Sequence, residues 1–244
     1  MSFDLKGMNI LITGASSGIG RQAALTYGKR KANIIALGRS QSALETLDDD
    51  LDKYNCNVSL VPFNLMQFDL IKDMEQKLSE RIDHLDVLFL NAAAFGSLTP
   101  ITHITETEWN ETFAVNLTSN VIFLKLFEPY LKKTNQSQVL ITTTEIINQK
   151  KPFWGLYSAS KAALEQIAYS YAEETQNTNI KVNLIDPGIV NTKLRLKAYP
   201  GEDKQKITQP SDLSVFFEDI LFNDKFTNGE LIRYADWLES SKRV

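Results

Sequence analysis

A chain of 244 residues with 43% hydrophobic and 23% charged residues has the composition of a folded globular protein, long enough for one α/β domain with an extended core. The net charge of −4 is small and the basic residues are scattered, which argues against nucleic acid as a partner. The longest apolar runs, such as VIFLKLF, are far shorter than the roughly 20 residues that cross a bilayer, so no membrane association is expected.

The single cysteine, Cys56, excludes an internal disulfide and fits a reducing compartment. The N-terminal run MSFDLKGMNILITG lacks the basic stretch, long apolar run and cleavage site of a secretion signal. We therefore expect a cytoplasmic protein. No metal site is predicted.

Short β-branched runs alternate with longer amphipathic segments along the chain. The short runs predict strands at 8–13, 33–38, 57–63, 86–91, 138–143, 181–186 and 230–234. The amphipathic segments predict helices near 18–30, 40–54, 67–83, 105–133, 156–177 and 211–223. The stretch LRLKAYPGEDKQKITQ, 194–209, has proline, glycine and mixed charges and is predicted to be a loop or lid.

This alternation is typical of a parallel sheet with crossover helices. It predicts a single α/β domain over 1–244, a Rossmann-type doubly wound sheet of seven mainly parallel strands in the order 3-2-1-4-5-6-7, flanked by helices on both faces. Ligands of such sheets bind beyond the carboxyl ends of the strands. The chemistry is therefore expected just after strands one, four, five and six.

The first predicted strand runs into TGASSGIG, 13–20, and then into a helix. Glycines there allow a tight turn and a close approach of backbone amides to a phosphate, which the helix N-terminus attracts. The pattern alone is weak, since such a turn can need glycine for packing, but its position at the head of a βαβ unit favours dinucleotide binding. The predicted contacts are Gly14, Ser16, Ser17, Gly18, Ile19 and Gly20.

The second strand ends in ALGRS, where a cofactor with a free 2′-hydroxyl would call for an acidic residue. Gly38 is neutral there, and Arg39 and Ser40 offer a guanidinium and a hydroxyl to a 2′-phosphate. The predicted cofactor is NADP(H) in preference to NAD(H). The alternative is that Arg39 is a solvated residue before a helix.

Tyr157 and Lys161 lie four residues apart on a predicted helix, so they share a face and can reach the same ligand. A free tyrosine has a pKa of about 10 and is a poor acid-base catalyst until a nearby cation stabilises its phenolate. Alone the spacing is weak, because on many helices it only packs a lysine stem on a ring. Thr144, thirteen residues before Tyr157, offers a hydroxyl for a reacting oxygen.

Together, TGASSGIG, LNAA, FAVNLTS, YSASK and DPGIVNT resemble the short-chain dehydrogenase/reductase family in order and spacing, over almost the whole chain. The run PGIVNTKLRLKAYPGED is most similar to bacterial members of unassigned substrate. The resemblance implies hydride transfer between nicotinamide and a carbonyl or alcohol. It makes Tyr157 the general acid and Lys161 the group that lowers the tyrosine pKa and holds the nicotinamide ribose.

The resemblance also implies that Asn116 anchors a water of a proton relay and that Asn91 contacts the cofactor ribose, although capping or turn formation would explain either asparagine. Ile189 and Thr192 would hold the carboxamide. The remaining implied cofactor contacts are Asn64, Leu65, Pro187 and Gly188.

Three positions depart from the family pattern: Thr144 stands in place of serine, Asn64 in place of aspartate, and Ala93 in place of glycine. If the backbone at Ala93 needs a positive φ, its β-carbon costs about 1 kcal/mol. Strand alternation turns Thr142 and Thr144 to one side and Thr143 to the other, and Thr143 is the fallback if the strand end bulges.

Glu145 would raise the tyrosine pKa if it pointed into the site, so we expect it to turn outward or to pair with a lysine. Phe95, Phe153 and Trp154 indicate either an apolar substrate pocket or aromatic core packing.

A homodimer or homotetramer is implied through the helices at 105–133 and 156–177, with Ala168, Tyr171 and Ala172 as examples of exposed apolar residues. The competing functional interpretation is a nucleotide-binding protein with little catalysis that acts through partner contacts.

Overall fold

The computed structural model of the protein describes residues 4–221, 223 and 225–241. Its centre is one sheet of seven parallel strands in the order β3-β2-β1-β4-β5-β6-β7, which confirms the predicted topology. The strands are β1 Asn9–Thr13, β2 Asn33–Gly38, β3 Val58–Pro62, β4 Val87–Leu90, β5 Ser137–Thr142, β6 Ile180–Asp186 and β7 Leu231–Arg233.

Helices cover both faces of this sheet. They are α1 Gly18–Lys29, α2 Gln41–Asp52, α3 Phe68–Ser79, α4 Glu106–Phe113, α5 Ser119–Leu131, α6 Gly155–Glu174, α7 Lys193–Ala198, α8 Ser214–Ile220 and α9 Tyr234–Ser241. Apolar side chains of α1, α2 and α8 share one core cluster, and those of α3, α5 and α6 share another. Successive residues of β1 alternate between the two clusters, because neighbouring side chains of a strand point to opposite faces. Every residue of β1 is therefore buried, which explains the apolar run ILI at 10–12 in its centre.

The predicted helix at 105–133 is interrupted. A π-helical turn at Ala114–Thr118 separates α4 from α5 and contains the fully buried Asn116. Such turns insert one extra residue into a helix and are frequent at functional sites.

The prediction of a loop at 194–209 is wrong for its first part, because α7 lies there. Thr192 caps this short helix, with its Oγ1 accepting a hydrogen bond from the Arg195 amide at 3.1 Å. The predicted helix at 211–223 is a 3₁₀ turn at Pro210–Leu213 followed by α8, and Phe222 lies outside the described residues.

The prediction that Ala168, Tyr171 and Ala172 are exposed is also wrong. All three are buried on the face of α6 that packs on the sheet. The exposed apolar residues of the long helices are instead Trp109, Val121 and Ile167. Within the described ranges, the helices are all too short or too polar to cross a membrane.

Phe217 joins three elements in the core, and its loss should be costly. Its ring packs edge to face with Tyr27 on α1 and Phe89 on β4, with 6.2 Å and 5.9 Å between ring centroids, and the residue is 0% exposed. Phe217→Ala should lower the free energy of unfolding by about 3–5 kcal/mol, because it leaves a cavity between these rings. Urea unfolding followed by circular dichroism measures this loss. Val215→Ala, at a 62% exposed position of the same helix, should stay within about 0.5 kcal/mol, and equal losses for both variants would contradict this account of the core.

Candidate active site

A single cavity runs along the carboxyl ends of β1, β2, β4, β5 and β6. The loop between β1 and α1 forms one end of it. Gly14 and Gly18 have φ angles of +71° and +57°, in the left-handed region that favours glycine. A β-carbon on Gly20 would lie 2.5 Å from the Gly14 carbonyl oxygen and 2.5 Å from Asn91 Nδ2. The loop therefore requires glycine for close packing, and the predicted residues Ser16, Ser17 and Ile19 line the cavity beside it.

The end of β2 forms the neighbouring rim. Arg39 is exposed there and lines the cavity. A β-carbon on Gly38 would lie 2.8 Å from Ser16 Cβ, so this position has no room for the acidic side chain typical of NAD-binding sites. Ser40 instead caps α2, its Oγ accepting a hydrogen bond from the Ala43 amide at 3.3 Å, and it lies outside the cavity lining. Its predicted contact with the cofactor therefore stays a prediction.

Asn64 and Leu65 follow β3 and line the same cavity. The Oδ1 of Asn64 accepts a hydrogen bond from the Met66 amide at 3.2 Å, which fixes the turn after the strand. At the opposite wall, the predicted residues Pro187, Gly188, Ile189 and Thr192 all line the cavity between β6 and α7.

Asn91 connects the ends of three strands. Its Nδ2 donates to the Thr13 carbonyl oxygen at 3.2 Å, and its Oδ1 accepts a hydrogen bond from Thr142 Oγ1 at 3.2 Å. Thr13 Oγ1 accepts hydrogen bonds from the amides of Asn91 and Ala92. Sequence reasoning singled out Asn91 and missed the role of these two threonines, each of which is the last residue of its strand in the structure.

Ala93 needs no left-handed backbone. Among the described residues, the non-glycine positions with positive φ are Lys31, Asn55 and Phe153. The strain that Ala93 would cause under that condition therefore does not arise, and its side chain lines the cavity.

Tyr157 and Lys161 lie on the first turns of α6 and are buried, with 9% and 1% exposure. Lys161 Nζ donates to the carbonyl oxygen of Thr142 at 2.8 Å, which fixes the ammonium against the end of β5. Thr144 lines the same cavity and caps a 3₁₀ turn at Glu145–Asn148, with its Oγ1 accepting a hydrogen bond from the Ile146 amide at 3.4 Å. The structure thus brings Thr144, Tyr157 and Lys161 together at one cavity.

Thr143, the alternative to Thr144 for the catalytic hydroxyl, has a different hydrogen-bond partner. Its Oγ1 donates to Glu165 Oε1 at 2.6 Å. Glu145 is exposed, which agrees with the expectation that it turns outward.

Asn116 fastens the π-helical turn to the segment after β4. Its Oδ1 accepts a hydrogen bond from the Ala94 amide at 2.7 Å, and its Nδ2 donates to the Ala94 carbonyl oxygen at 2.8 Å and to Ser160 Oγ at 2.9 Å. Its own carbonyl oxygen accepts a hydrogen bond from Asn120 Nδ2 at 2.8 Å. The side chain therefore has a structural role in positioning α6, and sequence reasoning missed its partner Ser160.

Burial is the largest influence on the pKa of both Tyr157 and Lys161. Burial raises the pKa of Tyr157, and the nearby Asp186 carboxylate raises it further. Burial thus decides the direction of this pKa, and the predicted lowering of it by Lys161 stays a prediction. Burial also lowers the pKa of Lys161 to about 8, against the opposing effect of Glu165. At neutral pH the tyrosine is therefore a neutral proton donor beside a mostly charged lysine.

Aromatic side chains enclose Tyr157. Its ring lies 5.5 Å from that of Phe95 and 6.2 Å from that of Trp154, measured between centroids. Trp154 lines the cavity, whereas Phe95 packs behind it as core. The prediction that Phe153 is a pocket wall is wrong, because its φ of +72° turns the chain so that this side chain is 53% exposed.

The short helix α7 covers the aromatic end of the cavity, where Leu194, Arg195 and Ala198 line it. Arg195 forms a two-pronged ion pair with Glu202, at 2.7 Å and 2.6 Å, and its guanidinium lies 3.7 Å from the ring centroid of Tyr199. The charge of Arg195 is thus already paired within the protein.

This combination of a doubly wound sheet, a glycine-rich loop and a Tyr-Lys pair at one cavity defines a class of nucleotide-dependent oxidoreductases. The family model described as short chain dehydrogenase matches residues 8–203. The chain therefore belongs to the short-chain dehydrogenase/reductase family of oxidoreductases, as its sequence predicts.

Its relatives include proteins without an assigned substrate. The chain is 30% identical over 207 residues to the uncharacterized oxidoreductase YciK of Escherichia coli (strain K12), covering 84% of this chain and 82% of that protein. Among solved structures, a short chain dehydrogenase from Shigella flexneri complexed with NADP superposes with a TM-score of 0.88 at 27% identity, covering 96% of this chain and 99% of the other. One from Escherichia coli CFT073 complexed with NADPH has a TM-score of 0.88 at 27% identity, with 96% and 98% covered.

Proposed function

We propose that the protein is an NADP(H)-dependent oxidoreductase that transfers a hydride between nicotinamide and a small carbonyl or alcohol substrate. The observation that carries this proposal is the position of Thr144, Tyr157 and Lys161 in the same cavity as the glycine-rich loop. The NADP and NADPH complexes of two structural relatives support the choice of cofactor.

The residues present fit such a cofactor. Gly14 and Gly18 give the loop its left-handed turns and Gly20 its close packing, and the loop lies at the N-terminus of α1, where backbone amides and the helix dipole favour a pyrophosphate. Arg39 stands at the rim with no acidic residue at the end of β2, which suits a 2′-phosphate. Asn64, Leu65 and Asn91 would line the adenosine side, and Pro187, Gly188, Ile189 and Thr192 the nicotinamide side.

The bound cofactor supplies or accepts the hydride. In carbonyl reduction, the Tyr157 hydroxyl donates its proton to the substrate oxygen, and the Thr144 hydroxyl donates a hydrogen bond to that same oxygen. The ammonium of Lys161 stabilises the phenolate that Tyr157 becomes. By the family resemblance, Asn116 would anchor a water of the proton relay, although it is fully buried and is not among the residues that line the cavity. Because burial keeps Tyr157 protonated at neutral pH, its hydroxyl is in the form that donates a proton in carbonyl reduction.

The other expectations extend this proposal. A homodimer or homotetramer would form through α4, α5 and α6, and the exposed Trp109, Val121 and Ile167 lie on these helices. The compartment proposed is the cytoplasm. The competing function, nucleotide binding without catalysis, is an outcome of the test below.

The test of the function is NADPH consumption with a panel of aldehydes and ketones. Tyr157→Phe should lower kcat by about 10²–10⁴-fold, because the proton donor is lost, while NADPH binding measured by fluorescence is kept. Tyr171→Phe is the matched control: this tyrosine is buried on the same helix, outside the cavity, and its hydroxyl has no hydrogen-bond partner within the described chain. A wild-type protein that binds NADPH but reduces no compound would favour the competing function, and one that binds neither NADPH nor NADH would contradict both.

The role of Thr144 rests on its hydroxyl. Thr144→Ala should lower kcat by about 10²-fold, because one hydrogen bond to the reacting oxygen is lost, whereas Thr144→Ser should stay close to wild type. Steady-state kinetics on the best carbonyl of the panel measures both. An unchanged kcat for Thr144→Ala would exclude the threonine from the mechanism.

The cofactor preference rests on Arg39. Arg39→Asp should weaken NADPH binding by about 10–100-fold and NADH binding far less, because only the former loses a charge-assisted contact to phosphate. Fluorescence titration with each nucleotide gives the two dissociation constants. Arg81→Asp, at an exposed position in the turn after α3 and outside the cavity lining, should change neither. Equal effects of Arg39→Asp on both nucleotides would refute the assignment of NADP(H).

A further inference from the structure

Three consecutive threonines at the end of β5 have three different partners. Thr142 bonds to Asn91, Thr144 caps the following turn, and Thr143 donates to Glu165. The hydroxyl of Thr143 is 2.6 Å from the carboxylate, and Thr143 is only 3% exposed. The bond is thus a short, shielded contact to a carboxylate that the proposed function does not use.

Glu165 lies one helical turn after Lys161 on α6, so the two side chains share a face of the helix. Lys161 is almost fully buried, and its ammonium has the carbonyl oxygen of Thr142 as hydrogen-bond partner. Its burial disfavours the charged form, and Glu165 is the charged group that favours it. The lysine is thus influenced by the carbonyl oxygen of Thr142 at the end of β5 and by the carboxylate of Glu165, which is hydrogen-bonded to the next residue, Thr143.

We propose that Glu165 is a positioning residue for Lys161: held by the Thr143 hydroxyl and lying one helical turn from the lysine, its carboxylate favours the charged form of the buried ammonium. The inference rests on the proposed function, because the charge of Lys161 matters to an enzyme that uses it.

Several other ionisable groups act on Glu165, from three elements. They are Lys161 and Tyr169 on α6, Asp186 at the end of β6 and Arg233 at the end of β7. Burial is the largest influence and raises the pKa of Glu165; the hydrogen bond from Thr143 lowers it, Asp186 raises it, and Arg233 and Lys161 lower it. The hydrogen bond from Thr143 therefore counteracts burial and favours the ionised carboxylate, which is the form that can favour a charged lysine.

The direction of the pH effect follows from these signs. Lys161 is charged below its pKa, and Glu165 raises that pKa relative to burial alone. Without the carboxylate the pKa of Lys161 is lower, so the lysine loses its proton at a lower pH. As the pH rises, its charge is therefore lost earlier than in the wild type.

The test measures the protonation of Lys161 directly and needs neither cofactor nor turnover. The folded protein is labelled with trace isotopic acetic anhydride at a series of pH values, and labelling of the peptide that contains Lys161 is quantified by mass spectrometry. In the wild type we expect its inflection near pH 8. In Glu165→Gln the inflection should move down by about one pH unit, and in Thr143→Val by less in the same direction.

Two further variants make the comparison sharp. Glu173→Gln removes an exposed carboxylate from the same helix and should leave the inflection unchanged. Glu165→Asp keeps the charge on a shorter side chain and should restore part of the shift. An inflection in folded Glu165→Gln equal to that of the wild type would overturn the proposal.

A kinetic measurement complements the labelling. The kcat for NADPH-dependent reduction should decline as the pH rises, and in Glu165→Gln this alkaline decline should begin at a lower pH than in the wild type. A purely structural loss would lower kcat equally at all pH values. If the wild type reduces no carbonyl, the proposed function fails, and the labelling still decides whether Glu165 controls the charge of Lys161.

Discussion

The carboxyl edge of the sheet is held by the side-chain amide of Asn91. It joins β4 to β1 through the Thr13 carbonyl oxygen and to β5 through the Thr142 hydroxyl. Because its nitrogen occupies the space that a β-carbon at position 20 would fill, the loop that faces a phosphate must be built from glycine. Asn91 therefore connects the glycine-rich loop at one end of the cavity with the end of β5 beside Lys161.

Beyond this connection, the site is governed by the cost of burying ionisable groups. Tyr157 and Lys161 are both moved toward their neutral forms by burial, the tyrosine by a raised pKa and the lysine by a lowered one. Asp186 adds to the effect on the tyrosine, whereas Glu165 opposes the effect on the lysine. Asp186 therefore favours the neutral phenol of Tyr157, and Glu165 favours the charged ammonium of Lys161. These are the forms that proton donation by the tyrosine requires.

Sequence reasoning predicted the strands and their order well, because buried parallel strands give continuous β-branched runs that few other structures produce. It placed Thr144, Tyr157 and Lys161 at one cavity because motif order along the chain maps onto one edge of the sheet. It failed where tertiary contacts decide. The helix α7 is too short for a periodic signal and depends on its cap, and the face of Ala168 was misassigned because helical periodicity does not reveal which stripe meets the sheet. The sign of the Tyr157 pKa shift depends on burial, which no motif encodes.

The left-handed backbone of Phe153 has a consequence for how this chain can vary. A non-glycine residue in that conformation costs about 1–2 kcal/mol, and here an exposed aromatic ring bears the cost next to the residue that lines the cavity. Glycine or asparagine accepts the same φ with less strain, whereas valine or isoleucine adds to it. Position 153 thus offers evolution and protein engineering a place to adjust stability beside the catalytic helix while the cavity wall itself stays unchanged.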